Sequence, residues 1–210
     1  MNVYRNILML LVMTIAHCTV AQFTATNAFT NAPASIIPLL QRSTRLDMVD
    51  YFNSGSTTAS TNLLNGKSKI TALSDESITV SLSGASSLQM VILPMKTDSV
   101  IMIIETVAMP AHDSVVKFYT RQWAPIEETL FSPPVLNDWL TKDGRKQKEH
   151  VANKVKFIAT DCVYNHDAKE LVITNNILET LDKEDYKNFS QLFHPSLTYT
   201  WDGKKMKPSK

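Results

Sequence analysis

Hydrophobic and polar positions alternate in short runs through the middle of the chain. Five runs follow one another closely, at residues 69–73, 78–82, 88–93, 100–109 and 115–123, with turn chemistry between them at 74–76, 83–85, 94–98 and 110–114. Short runs with short connections predict an antiparallel meander. Ile78-Thr79-Val80-Ser81-Leu82 alternates, so one of its faces meets water. Val100-Ile101-Met102-Ile103-Ile104 does not alternate, which predicts a central strand covered on both faces.

The flanks read differently. Residues 22–32 lack periodicity and read as an extension, and Ser35 to Leu40 reads as a helical unit with Pro38 near its start. A helix is predicted over 45–54, capped by Ser43 or Thr44 and stopped by Gly55. It buries Leu46, Val49 and Phe52, with Arg45, Asp47 and Asp50 opposite. Three prolines break 125–134, a short helix follows over 135–141, and 145–156 reads as a basic linker. A hairpin is expected from 155–164 and 171–176. Asp182 caps a helix running to Phe193, 197–201 is a last strand before the Asp202-Gly203 turn, and a frayed basic tail follows. The expected class is α+β, with short helices packed on antiparallel sheet; one sheet or two pseudo-repeated helix-plus-sheet layers are both open.

Residues 1–21 carry a different pattern. Arg5 supplies a positive start, 7–16 form an apolar core, and Thr19-Val20-Ala21 puts small residues before Gln22. This is the pattern of a signal peptide, and the apolar run is about half the roughly twenty residues that span a bilayer. It predicts an exported protein, periplasmic or outer-membrane-associated, with 22–210 as one domain. A lipid anchor at Cys18 is the alternative, but Cys18 follows His17 where a lipoprotein cysteine follows a small residue. Loss of the leader leaves Cys162 alone, so no internal disulfide can form, and its strand-like surroundings predict a half-buried side chain.

The 21 basic and 20 acidic residues include Arg5, so the chain after the leader carries 20 of each and is neutral. Neutrality argues against broad binding to nucleic acid. Charges are sparse before Ala111 and dense after it, so the first half supplies more of the buried material.

Candidate chemistry is thin. His112-Asp113-Ser114 has the residue types of a catalytic triad, but triad members meet from separated positions, so a turn is the better reading. Asp47 and Asp50 share a helix face, where a solvated face, or ion pairing with Arg42 or Arg45, is favoured over a metal. His150, His166 and His194 lack the paired spacing of a zinc site. No phosphate loop, nucleophile elbow or zinc-protease motif occurs. No catalytic, cofactor or metal residue is therefore assigned. Trp123, Trp139 and Trp201 are candidate binding-surface residues against a packing role. Asp98-Ser99-Val100 and Asp113-Ser114-Val115 match a three-residue acceptor pattern for O-linked glycans, which makes Ser99 and Ser114 candidate acceptors against a plain turn role.

Taken together, Ser35-Ile36-Ile37-Pro38-Leu39-Leu40, Arg45-Leu46-Asp47-Met48-Val49-Asp50-Tyr51-Phe52, Leu93-Pro94, Pro110-Ala111-His112-Asp113-Ser114, Phe118-Tyr119 and Trp123 resemble a family of exported Bacteroidales proteins, domain of unknown function 3256. The resemblance implies a Gram-negative anaerobe and an envelope location, and it carries over no catalytic residues. The expected function is a non-enzymatic binding module for a protein, peptide or glycan partner on a sheet face or helix–sheet groove. The alternative is an envelope hydrolase assembled from distant carboxylates and histidines.

Overall fold

The computed structural model describes residues 23–108 and 111–209, so the expectations for the leader and Cys18 lie outside the described residues. Six strands form the first sheet in sequence order: β1 (Ser60–Thr61), β2 (Lys67–Leu73), β3 (Ser77–Ser83), β4 (Ser86–Pro94), β5 (Ser99–Ala108) and β6 (His112–Thr120). The predicted meander is present, with all neighbours antiparallel. A second, four-stranded antiparallel sheet has the order β10-β9-β8-β7, from β7 (Thr160–Asn165), β8 (Glu170–Asn175), β9 (Ser196–Trp201) and β10 (Met206–Pro208). The class is α+β with two sheets.

The unalternating run in β5 is explained by the layering. Ile101 and Ile103 join one core with Ile78, Val80, Leu88 and Met90, beneath helices α1 (Ala25–Asn31) and α2 (Arg42–Asn53). Val100, Met102 and Ile104 point the other way, into a core with Leu171, Ile173 and Trp139 beneath the second sheet. Successive side chains on a strand face opposite ways, so a strand sandwiched between two cores is apolar at every position.

Several expectations are corrected. Residues 22–32 contain α1, whose Thr24 side chain accepts from the Asn27 amide and whose Ala25, Ala28 and Phe29 are buried at helical spacing. The stretch around Pro38 is a set of turns, although Ile37 and Leu40 are buried. Helix α2 starts at Arg42, before the predicted caps; it buries Met48 and Val49, and leaves Leu46 exposed. Arg45 is only 3% exposed and donates from Nη1 to the Phe29 carbonyl at 2.7 Å, near the C-terminal end of α1, where a cation is favoured. Burial, then the neighbouring Arg42, holds its pKa below the usual range.

The second half also departs from the reading. After α3 (Leu136–Trp139), the basic stretch forms α4 (Lys142–Lys146) and α5 (Lys148–Lys154). Gly144 is the reason α4 packs so closely: a Cβ there would collide with the Leu192 carbonyl oxygen. Asp182 caps α6 (Lys183–Phe189) as predicted, accepting from the Glu184 and Asp185 amides. The tail is not frayed, because β10 pairs with β9 and buries Met206. The proline-broken segment 125–134 straps both sheets together. The Ile126 amide donates to the Phe118 carbonyl at the edge of β6, and the Met206 amide of β10 donates to the Leu130 carbonyl.

Candidate functional site

The groove between α2 and β2 is built from a mismatch in strand length. β1 pairs only Thr61 with Lys67 and Ser60 with Ser68, while β2 continues to Leu73. The chain cannot extend β1 backwards along β2, because α2 ends in a tight turn at Gly55, with φ +72°. The Ser54, Gly55 and Ser56 amides donate back to the Asp50, Phe52 and Tyr51 carbonyls, and the Ser56 hydroxyl bonds that of Thr58 at 2.9 Å. This turn carries residues 55–58 away from β2 and leaves an open cleft of about 460 Å³.

Met48 and Ile70 are buried beside this cleft, Tyr51 and Phe52 stand over it from α2, and Lys69 and Thr71 of β2 contribute a cation and a hydroxyl. The charge pattern is one-sided: no acidic residue occurs between Asp50 and Asp75, whereas Lys67 and Lys69 do. Neither lysine joins an ion pair among the described residues. Apolar wall, polar rim and one sign of charge make a surface suited to recognition.

Two further clefts, of about 650 and 380 Å³, flank the strap and share Thr129, Leu130 and Phe131. At both, the strap already bonds to the adjacent strand edge. The α2–β2 groove differs in that the backbone edge of β2 at 69–73 has no partner among the described residues.

The residues singled out in the sequence go elsewhere. His112-Asp113-Ser114 is not a turn: it opens β6 and fastens the second sheet to the first. Asp113 Oδ1 accepts from the Thr160 amide at 3.2 Å, and Ser114 Oγ from the Cys162 amide at 2.9 Å. His112 Nδ1 lies 3.1 Å from Asp161 Oδ2, and its carbonyl accepts from Asn176 Nδ2. Further along the seam, Gln89 bonds both backbone groups of Tyr164. The edge of β7 is thus closed by side chains standing on the face of the first sheet, a way of covering an otherwise sticky edge.

Ser114 is therefore occupied within this seam, whereas Ser99 sits half-buried at the start of β5 without a side-chain bond among the described residues. Cys162 is buried rather than half-buried, and burial pushes its thiol up to about 11.

The tryptophans do not meet. Trp139 is 0% exposed, which removes it from any binding surface. Trp201 stacks 6.4 Å from Phe118 and donates to the Pro94 carbonyl, and Trp123 lies 5.8 Å from Tyr119. Asp47 and Asp50 are exposed on α2 as a solvated face, the first of the two readings, and neither pairs with Arg42 or Arg45 among the described residues. His150 lies against Phe189, His166 is 3.5 Å from Glu76, and His194 is exposed. No three His, Cys, Asp or Glu side chains gather as a metal set among the described residues.

Tyr51, Phe52 and Lys69 were not singled out as binding residues in the sequence, where Phe52 is read only as part of a buried helix face. Their signal was available in the Gly55 stop and in the acid-free span after Asp50. A groove made by the shortness of β1, however, has no residue pattern of its own.

These features define an α+β protein with a six-stranded sheet between a helical layer and a second sheet, and with an open helix–sheet groove. The chain belongs to the family described as "Protein of unknown function (DUF3256)", whose model matches residues 18–206. Its fold is similar to the solved structure of a domain of an uncharacterized protein from Porphyromonas gingivalis W83. That similarity has a TM-score of 0.77 at 21% identity, covering 88% of this chain and 96% of that one. A search of the curated proteins finds no match.

Proposed function

We propose that the protein is an exported binding module of the bacterial envelope whose protein, peptide or glycan partner occupies the α2–β2 groove. The observation that carries this reading is the groove itself: an open cleft of about 460 Å³ with Tyr51 and Phe52 on one side and Lys69 on the other. The leader pattern of residues 1–21 supports export. Among the described residues no helix is long and apolar enough to cross a membrane.

A photo-crosslinking residue at Tyr51 tests the groove in the intact cell envelope, with the same residue at exposed Thr174, on the outer face of the second sheet, as control. Adducts at Tyr51 that the Lys69→Glu change depletes, with none at Thr174, are the expected result. Equal adducts at both positions contradict it. Intact mass of the exported protein tests the processing: a chain beginning at Gln22 supports cleavage after Ala21, and a diacylated Cys18 overturns it. Extra mass lost on Ser99→Ala would add a glycan at that turn.

A further inference from the structure

We infer that the groove takes an extended peptide segment of alternating apolar and acidic residues, added as a strand to the open edge of β2. This rests on the groove being the partner site. Three observations converge on it, and the first is backbone chemistry. β1 covers only Lys67 and Ser68, so the outward amides and carbonyls of 69–73 have no partner among the described residues. The natural complement of such an edge is another backbone, whose own donors and acceptors fall at the same spacing. β1 already shows that this edge accepts an antiparallel neighbour. The cleft begins where β1 leaves off, because the turn at 55–58 draws the chain aside.

The second observation is the difference between the two faces. A strand sends alternate side chains to opposite faces. Beside β2, one set meets Met48, Tyr51 and Phe52 of α2, on the face where Ile70 is buried. The other set leaves on the face of Lys67 and Lys69, which are exposed. The incoming segment is therefore apolar toward the helix and acidic toward the lysines.

The third observation explains why the edge does not simply pair with another copy. Lysines on an edge strand and a break in its register both oppose self-association, and β2 has both, with a register shift between Ile70 and Ala72. Two such edges would set lysine against lysine. An acidic strand meets no such repulsion, so the same feature that rejects a second copy selects the partner.

The test uses the full chain and a synthetic seven-residue peptide of alternating Glu and Val. Its comparators are the Lys/Val analogue and a Glu/Val peptide N-methylated on alternate amides. Fluorescence anisotropy reads binding, and amide hydrogen exchange reads the edge. Binding of the Glu/Val peptide, slowed exchange within 69–73, abolition by N-methylation and about a tenfold loss with Lys69→Glu are expected. No binding, equal binding of the Lys/Val peptide, or unchanged exchange within 69–73 at saturation overturns strand addition. If envelope adducts form at Tyr51 while the 69–73 amides of that complex stay unprotected, strand addition fails and the groove remains the partner site. Loss of both results removes both readings.

Discussion

Gln89 holds the backbone of Tyr164 at both of its polar groups: Nε2 donates to the carbonyl at 2.9 Å, and Oε1 accepts from the amide at 2.8 Å. The two residues are 75 apart in sequence and belong to different sheets. A primary amide presents one donor and one acceptor in a plane, as a neighbouring strand does, so Gln89 completes the edge of β7 where no strand follows. Replacing Gln89 by Ala leaves both backbone groups unpaired in a half-buried seam. About 2–4 kcal/mol of unfolding free energy should be lost, since each unsatisfied group costs roughly 1–3 kcal/mol. Gln89→Glu keeps the acceptor and should fall between. Urea denaturation measures both; a midpoint unchanged in Gln89→Ala would contradict this role.

Cys162 reports on the same seam, because its amide donates to Ser114 and its side chain is 5% exposed. Burial raises the thiol from 9.0 to about 11, so the folded state holds its proton where the unfolded chain releases it. Stability from this group is complete below pH 9 and is lost as the pH rises toward 11. The loss is roughly 2–3 kcal/mol at about 1.4 kcal/mol per pH unit. Between pH 8 and pH 10.5 denaturation should show about 2 kcal/mol of this fall in the native protein and a flatter profile in Cys162→Ala. Thiol labelling at pH 8 should be slow in the native protein and faster in Gln89→Ala; identical rates would separate Cys162 from the seam.

Gly144 packs against a carbonyl that has no room to move, since the Leu192 oxygen also accepts from the Thr141 amide at 2.9 Å. Gly144→Ala should therefore destabilise the protein by about 1–3 kcal/mol, reversing the usual gain from replacing a helical glycine. Gly84 faces open space, with no atom within 4 Å of where a Cβ would stand, and serves as the control. Gly84→Ala is expected within about 0.5 kcal/mol of the native protein. Thermal melts of the pair decide it, and equal shifts would contradict the packing argument.

Asn62 shapes the loop between β1 and β2, next to the groove. Its Oδ1 accepts from the Leu64 and Gly66 amides, and its Nδ2 donates to Ser68 Oγ and the Leu82 carbonyl. Asn62→Ala should cost about 2–4 kcal/mol, because buried Ser68 and three part-buried backbone groups lose their partner together. Asn62→Asp keeps the acceptors but puts a charge against the Leu82 carbonyl, and should be no better. Amide exchange in 62–68 should rise in both variants, and unchanged protection there would show that the loop holds without this side chain.

What could be read in the sequence divides along physical lines. The meander and the doubly buried β5 were legible, because side-chain alternation is set locally by the strand and by what covers each face. The Asp182 cap was legible for the same reason. Short helices α4 and α5 were hidden in a lysine-rich stretch, and β10 depends on a single buried Met206. Arg45 was placed on the solvent side, where an arginine ordinarily belongs, yet the Phe29 carbonyl makes its buried position tolerable. The run His112-Asp113-Ser114 was read from adjacency as a turn, whereas it opens β6. Its partners, on β7 and at Asn176, are set by tertiary packing alone.

The central claim is that a partner occupies the groove between α2 and β2, and crosslinking from Tyr51 in intact cell envelopes tests it most directly. The account predicts a discrete adduct from Tyr51 that Lys69→Glu depletes and that the same crosslinker at Thr174 does not form. An adduct unaffected by Lys69→Glu, or one formed equally from Thr174, would contradict it.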